Sequence, residues 1–216
     1  MGASFNTFKS EITYIKTLTQ KTDATGFFIQ ELLRFYSLTG TMFNININLS
    51  TSCTVDERYL THVLSRSLLE PFFINLYIFD DLSQMAIRYE EQKNTFSEQY
   101  RKLINDLQDP AWSNFMQKYG NQLETVNPQS SKPSTLPDVK SLLGKLKNPQ
   151  NNSLAYLYPL YRITSFDTHG RSLGTIFESV FGKQCNFPVL DIEVAIDFMC
   201  DGYLSILNEL RNNKMI

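Results

Sequence analysis

Eight consecutive residues, Phe72-Phe-Ile-Asn-Leu-Tyr-Ile-Phe79, are apolar or aromatic at every position but Asn75. On a helix such a run sends apolar groups in all directions, so the element must be enclosed by others. A buried strand is the competing reading of so short a run. Helical patterns on both sides favour a helix, and with it an architecture of helices wrapped round a central one. The segment before it opens with Thr54-Val-Asp-Glu57, a capping-box pattern that marks a helix start. An apolar stripe follows at Tyr59, Leu60, Val63, Leu64 and Leu68, with Ser67 on it. Pro71 lacks an amide proton and predicts a kink or a restart.

The rest of the chain supplies the surround. Phe5, Phe8, Ile12 and Ile15, then Phe28, Ile29, Leu32, Leu33 and Tyr36, recur at helical spacing over residues 4–39. They read as one long helix or two joined ones, with Gly26 as a kink and Gly40 as a stop. Asp80-Asp81 predicts the start of a mainly polar helix running to about Leu107. Asp109-Pro110 opens a short helix ending at Gly120. Residues 127–137 are rich in Pro and Ser and read as a flexible loop inside one domain. Further helices are expected over 136–147, from Ser153 to Gly170 with Pro159 inside, over 173–181, and over 189–212. The last has its buried stripe at Ile192, Ala195, Ile196, Met199, Tyr203, Ile206, Leu207 and Leu210. No period-2 strand, hairpin signal or internal repeat is present. The expected fold is an all-α, single-domain bundle of about six to eight helices spanning residues 1–216, built round residues 59–79 and 154–169.

Composition narrows the function classes. The 216 residues are 13% aromatic, which suits a packed core better than disorder. A net charge of −2 provides no global field for nucleic acid or anionic lipid, so any RNA contact must be a local patch. Cys53, Cys185 and Cys200 are odd in number and lack CxxC spacing, which argues against a disulfide framework or a structural zinc site. There is no apolar leader near Met1, and the longest apolar stretch is too short to span a bilayer. A cytoplasmic protein without membrane association is the expectation.

Two histidines, His62 and His169, limit the chemistry. Arg58 lies one turn before His62 and would repel a metal there. Asp191, Glu193, Asp197 and Asp201 could hold a cation, but a solvated acidic face is the favoured reading. Arg66 and Glu70 are spaced i,i+4 and read first as a structural ion pair. The segment Tyr161-Arg-Ile-Thr-Ser165-Phe-Asp-Thr-His169-Gly170 is more specific. Positions 162 and 169 differ by about 20° on a helix, so Arg162 and His169 share a side, two turns apart. A guanidinium can hold a phosphate by paired donors, and an imidazole can move a proton near neutral pH. Together they meet the needs of phosphodiester cleavage without a metal. Arg162 and His169 are the candidate catalytic residues, with Tyr161, Ser165, Arg66 and Glu70 in support. No cofactor or metal is implied.

The run from Arg66 through Glu70 and Phe72 to Ile78, with the later Tyr161-x3-Ser165-x3-His169, resembles the DUF5677 family of bacterial helical proteins of unknown function. That likeness covers about half the chain. Arg162-x6-His169 also resembles the Arg-x4–6-His motif of HEPN domains, although Ile163 follows the arginine where a polar residue is common. The second resemblance implies a helical bundle, often dimeric, that cleaves RNA in toxin–antitoxin or anti-phage systems. By it, Arg162 would bind the scissile phosphate. His169 would assist attack by the ribose 2′-hydroxyl or protonate the leaving oxygen. RNA, a second copy and a protein encoded nearby are the partners so implied. Two other readings stand beside this one. One is a non-catalytic interaction or regulatory protein acting through dimerisation or partner binding. The other is a small-molecule pocket lined by Arg66, Glu70 and His169.

Overall fold

In a computed structural model the chain is all-α. The described residues are 2–18, 22–45, 47–125, 133–147, 151–171, 173–184 and 190–216. Among them are nine α-helices and no strand: α1 (Ala3–Thr17), α2 (Ala24–Asn44), α3 (Val55–Phe79), α4 (Met85–Leu107), α5 (Ser113–Tyr119), α6 (Val139–Leu143), α7 (Asn151–Thr168), α8 (Thr175–Phe181) and α9 (Ile192–Asn212). Much of the 127–137 loop expectation, together with Cys185, falls outside the described residues.

The apolar run is the central helix its composition requires. Phe72, Phe73, Ile78 and Phe79 are at most 1% exposed, and α3 packs against α2, α4, α6, α7 and α9. The capping box forms as expected: Glu57 N–H donates to Thr54 Oγ1 at 3.2 Å, and Thr54 N–H donates to Glu57 Oε2 at 2.8 Å. α3 runs through Pro71 without restarting. Burial on all sides outweighs one missing backbone bond.

Tyr203 of α9 is the hub of the core. Its ring lies 5.0 Å from Phe35, 5.1 Å from Phe72, 6.2 Å from Phe28 and 6.3 Å from Phe8, joining α1, α2, α3 and α9. The eight α9 residues expected to be buried are all buried, as are Phe5, Phe8, Ile12 and Ile15 of α1. Asp197 of α9 accepts the Phe5 amide at 2.9 Å and so satisfies the start of α1. Part of the acidic face is therefore a capping device, and Asp191 caps α9 itself through Val194 N–H. No cluster of three or more His, Cys, Asp or Glu fit to hold a metal occurs among the described residues.

Several boundaries differ from the sequence expectations. Of the two readings for residues 4–39, two helices is the one observed, but they do not join at Gly26. Asp23 caps α2 by accepting from Gly26 N–H at 3.0 Å, which places Gly26 in a first turn rather than at a kink. Gly40 lies inside α2 with open space where a Cβ would stand, so nothing there stops the helix. Asp80 and Asp81 precede α4 instead of opening it. Asp81 Oδ1 accepts from Ser83 N–H and Oγ, a local turn that competes with helix. The first half of α3 buries a different face from the expected one. Tyr59, Leu60 and Val63 are exposed, while Thr61, His62 and Ser65 are buried. These polar groups go inside because each has a partner there. No helix among the described residues is long and apolar enough to cross a membrane.

Candidate functional site

α7 carries the candidate residues on two different faces. Leu157, Leu160, Tyr161, Thr164 and Asp167 are buried, a helical stripe turned towards α3. Arg162, Phe166 and His169 are exposed, at positions i, i+4 and i+7 of the opposite side. Ser165 is half-buried between the two.

The inner face is a polar seam. Arg66 of α3 donates from Nη1 to Ser165 Oγ at 2.6 Å and to the Tyr161 carbonyl at 3.2 Å. Its Nη2 donates to the Tyr161 hydroxyl at 2.7 Å, and its guanidinium lies 3.5 Å from the centre of the Tyr161 ring. Burial raises the Tyr161 phenol, and the Arg66 charge partly offsets that rise. The expected Arg66–Glu70 pair is present at 3.5 Å, with the Glu70 side chain half exposed. Four groups predicted to support the site are therefore brought together, but away from Arg162 and His169. Arg66, Tyr161 and Ser165 fasten α7 to α3, and Glu70 pairs with Arg66 on α3 itself.

One turn earlier on α3, His62 Nδ1 donates to Asp167 Oδ2 at 2.6 Å, with both side chains 2% exposed. Asp167 Oδ1 accepts from Leu173 N–H at 3.1 Å and so holds the segment after α7. Burial lowers the tendency of His62 to protonate, with Arg58 adding to that effect and Asp167 opposing it. A neutral imidazole donating to a carboxylate fits this balance. Reading from sequence missed the pair. The available signal was Asp167 itself, which continues the buried stripe of α7. A carboxylate on such a stripe requires a partner, and only two histidines exist.

The outer face ends in a defined geometry. Gly170 adopts φ +67°, Gly170 N–H donates to the Asp167 carbonyl at 3.2 Å, and Arg171 N–H donates to the Phe166 carbonyl at 2.8 Å. These two bonds make a Schellman stop, which glycine favours because it carries no Cβ. His169 is thus fixed at the last turn of α7. The chain then turns into α8, where Ile176, Val180 and Phe181 are 48%, 66% and 61% exposed. Phe166 and Arg171 join them round an apolar groove of about 370 Å³. Arg162 and His169 do not line it. The groove meets their face of α7 through Phe166.

The small-molecule reading is divided by the structure. Glu70 and Tyr161 border a cleft of about 420 Å³ next to α4, and His169 is not among its lining residues. Comparison with family models, curated proteins and solved structures gives no match for this chain.

Proposed function

We propose that the chain is a HEPN-like RNA-cleaving module that acts as a homodimer, with Arg162 and His169 at the reacting phosphodiester. One observation carries the reading: Arg162, Phe166 and His169 share the exposed face of α7, while Tyr161, Ser165 and Asp167 are bonded to Arg66 and His62 of α3. A cation, an aromatic ring and an imidazole along one accessible edge suit a single RNA strand. The guanidinium holds phosphate, the ring stacks on a base, and the imidazole moves a proton. Arg171 adds a second exposed cation at the same end. In the proposed reaction the ribose 2′-oxygen bonds to phosphorus and the bond to the 5′-oxygen breaks. His169 takes the 2′ proton or supplies the proton to the leaving oxygen. The products carry a 2′,3′-cyclic phosphate and a 5′-hydroxyl.

The seven-residue separation corresponds to about 10 Å of helix rise, so one Arg–His pair is stretched along the strand. The apolar groove on α8 begins at Phe166. A second copy seated there would bring two Arg–His sets to one interface. Expression of the wild type in bacterial cells is expected to slow growth, and His169→Ala is expected to abolish the effect at equal protein level. Equal growth inhibition by both would refute the catalytic reading.

A second reading has its own support. Ile176, Val180 and Phe181 are the kind of contiguous exposed apolar surface that a non-catalytic interaction protein would use. It calls for dimerisation or capture of a protein partner without RNA cleavage, and the same growth assay separates it from the first.

A further inference from the structure

We propose that the cleft between α3, α4, α6 and α7 binds a small organic cation, an aliphatic amine, independently of the RNA-directed face. The cleft measures about 420 Å³, within the ordinary range of ligand sites. Glu70 of α3, Gln92, Phe96 and Gln99 of α4, Asp138 at the start of α6 and Tyr161 of α7 contribute its polar and aromatic walls. Two of these side chains are carboxylates. No Lys, Arg or His is present among the described residues that line it.

The carboxylates are held in different ways. Asp138 caps α6, accepting from Lys140 N–H at 3.0 Å, Ser141 N–H at 3.2 Å and Ser141 Oγ at 2.6 Å. These bonds keep its carboxyl below the usual range and therefore ionised near neutral pH. Glu70 is half exposed, and its contact with Arg66 is long at 3.5 Å. Arg66 pairs with Glu70 and also bonds to Ser165 and Tyr161, so one guanidinium stands against the two carboxylates. With Arg66 counted, the two carboxylates leave a net negative charge in one concave site, which attracts cations from solution.

Aromatic and amide groups complete the match. Phe96 is 64% exposed, with its ring stacked on Tyr100 at 5.9 Å and 10°. A ring displayed this way offers a face to an ammonium group. The Tyr161 ring already carries the Arg66 guanidinium, so Phe96 is the ring left open to a ligand. Gln92 and Gln99 can accept from N–H donors. The wall formed by Leu136, Pro137 and Asp138 belongs to a segment tied to α4. Leu136 N–H donates to Thr95 Oγ1 at 2.8 Å, Asn94 Nδ2 donates to the Ser134 carbonyl at 3.0 Å, and Ser134 Oγ donates to Glu91 Oε1 at 2.9 Å.

Calorimetric titration of the whole chain with spermidine in low-salt buffer tests the site. Saturable one-site binding is expected for the wild type. Glu70→Gln is expected to weaken it about tenfold or more, the effect of losing one charged hydrogen bond. Phe96→Ala is expected to weaken it severalfold. Both positions are exposed enough for the variants to keep wild-type helix content and melting temperature. Absence of saturable binding up to millimolar spermidine would overturn the proposal. So would equal affinity in wild type and Glu70→Gln, which marks diffuse counterion attraction. Saturable binding of glucose in place of spermidine would also overturn it, by showing a polyol site.

Discussion

His62 and Asp167, 105 residues apart in the chain, meet at 2.6 Å in the interior and tie α3 to α7. Both are 2% exposed, so each depends on the other inside the protein. Truncating one partner of such a pair costs about 3 kcal/mol or more, because the other stays buried with its bond across the seam lost. His62→Ala and Asp167→Ala are each expected to lower the denaturant midpoint strongly, and the double variant to lose less than the sum. Full additivity in a double-mutant cycle would show that the two do not interact.

The same pair sets a pH dependence. Burial lowers the folded-state protonation of His62 from its ordinary value of 6.5. Above that value both folded and unfolded chains hold a neutral ring, and the contribution is complete. As pH falls below 6.5 the unfolded chain takes up a proton that the folded chain resists, so stability declines towards the lowered folded value. The slope for one group is at most about 1.4 kcal/mol per pH unit. Chemical denaturation between pH 7.5 and about pH 5 should show this decline in the wild type. His62→Gln should flatten it. An unchanged slope in the variant would assign the effect to other groups.

The capping box at the start of α3 gives a separate test. Thr54→Ala removes the acceptor for Glu57 N–H and is expected to cost about 1 kcal/mol. Hydrogen bonds from Thr54 and Asn48 lower the Glu57 carboxyl below its ordinary value of 4.5. Its contribution is therefore present above that value and is lost as pH falls through the lowered folded value. Glu57→Gln should lose this acid-side dependence. Because α3 is central, both variants should also increase amide exchange in its first turns. Unchanged exchange there would show that the box is dispensable.

How much of this was legible in the sequence differs between elements. α1 and α9 are amphipathic, and simple periodicity located every buried residue expected of them. The apolar run of α3 announced its own burial. The first half of α3 did not, because periodicity counts apolar side chains and this stretch buries polar ones. Tyr59 and Leu60 looked internal, yet they point outwards, since Thr61, His62 and Ser65 take the inner face, bonded within α3 or to Asp167. The candidate site divides in the same way. Helical spacing correctly put Arg162 and His169 on one side of α7. Tyr161, Ser165 and His169 also recur four residues apart, yet Tyr161 and Ser165 are held by Arg66 on the inner side while His169 is exposed. Which side of a helix meets a neighbour depends on contacts nearly a hundred residues away, and spacing within the helix does not contain them.

The α8 surface bears on assembly. Val180 and Phe181 are 66% and 61% exposed beside the groove that Phe166 borders. Phe181→Asp is expected to convert a dimer into a monomer in light scattering, with little loss of melting temperature. A wild type that is monomeric at high micromolar concentration would remove the dimer from the account.

Cleavage of a defined single-stranded RNA in the presence of EDTA is the most direct measurement. The wild type is expected to produce fragments ending in 2′,3′-cyclic phosphate. Arg162→Ala and His169→Ala are each expected to lower the rate at least about a hundredfold, the usual scale for losing proton transfer or charge stabilisation. Glu193→Gln on α9 should cleave like the wild type. Absence of cleavage by the wild type, or equal rates in wild type and His169→Ala, would contradict the assignment of Arg162 and His169 as a catalytic pair.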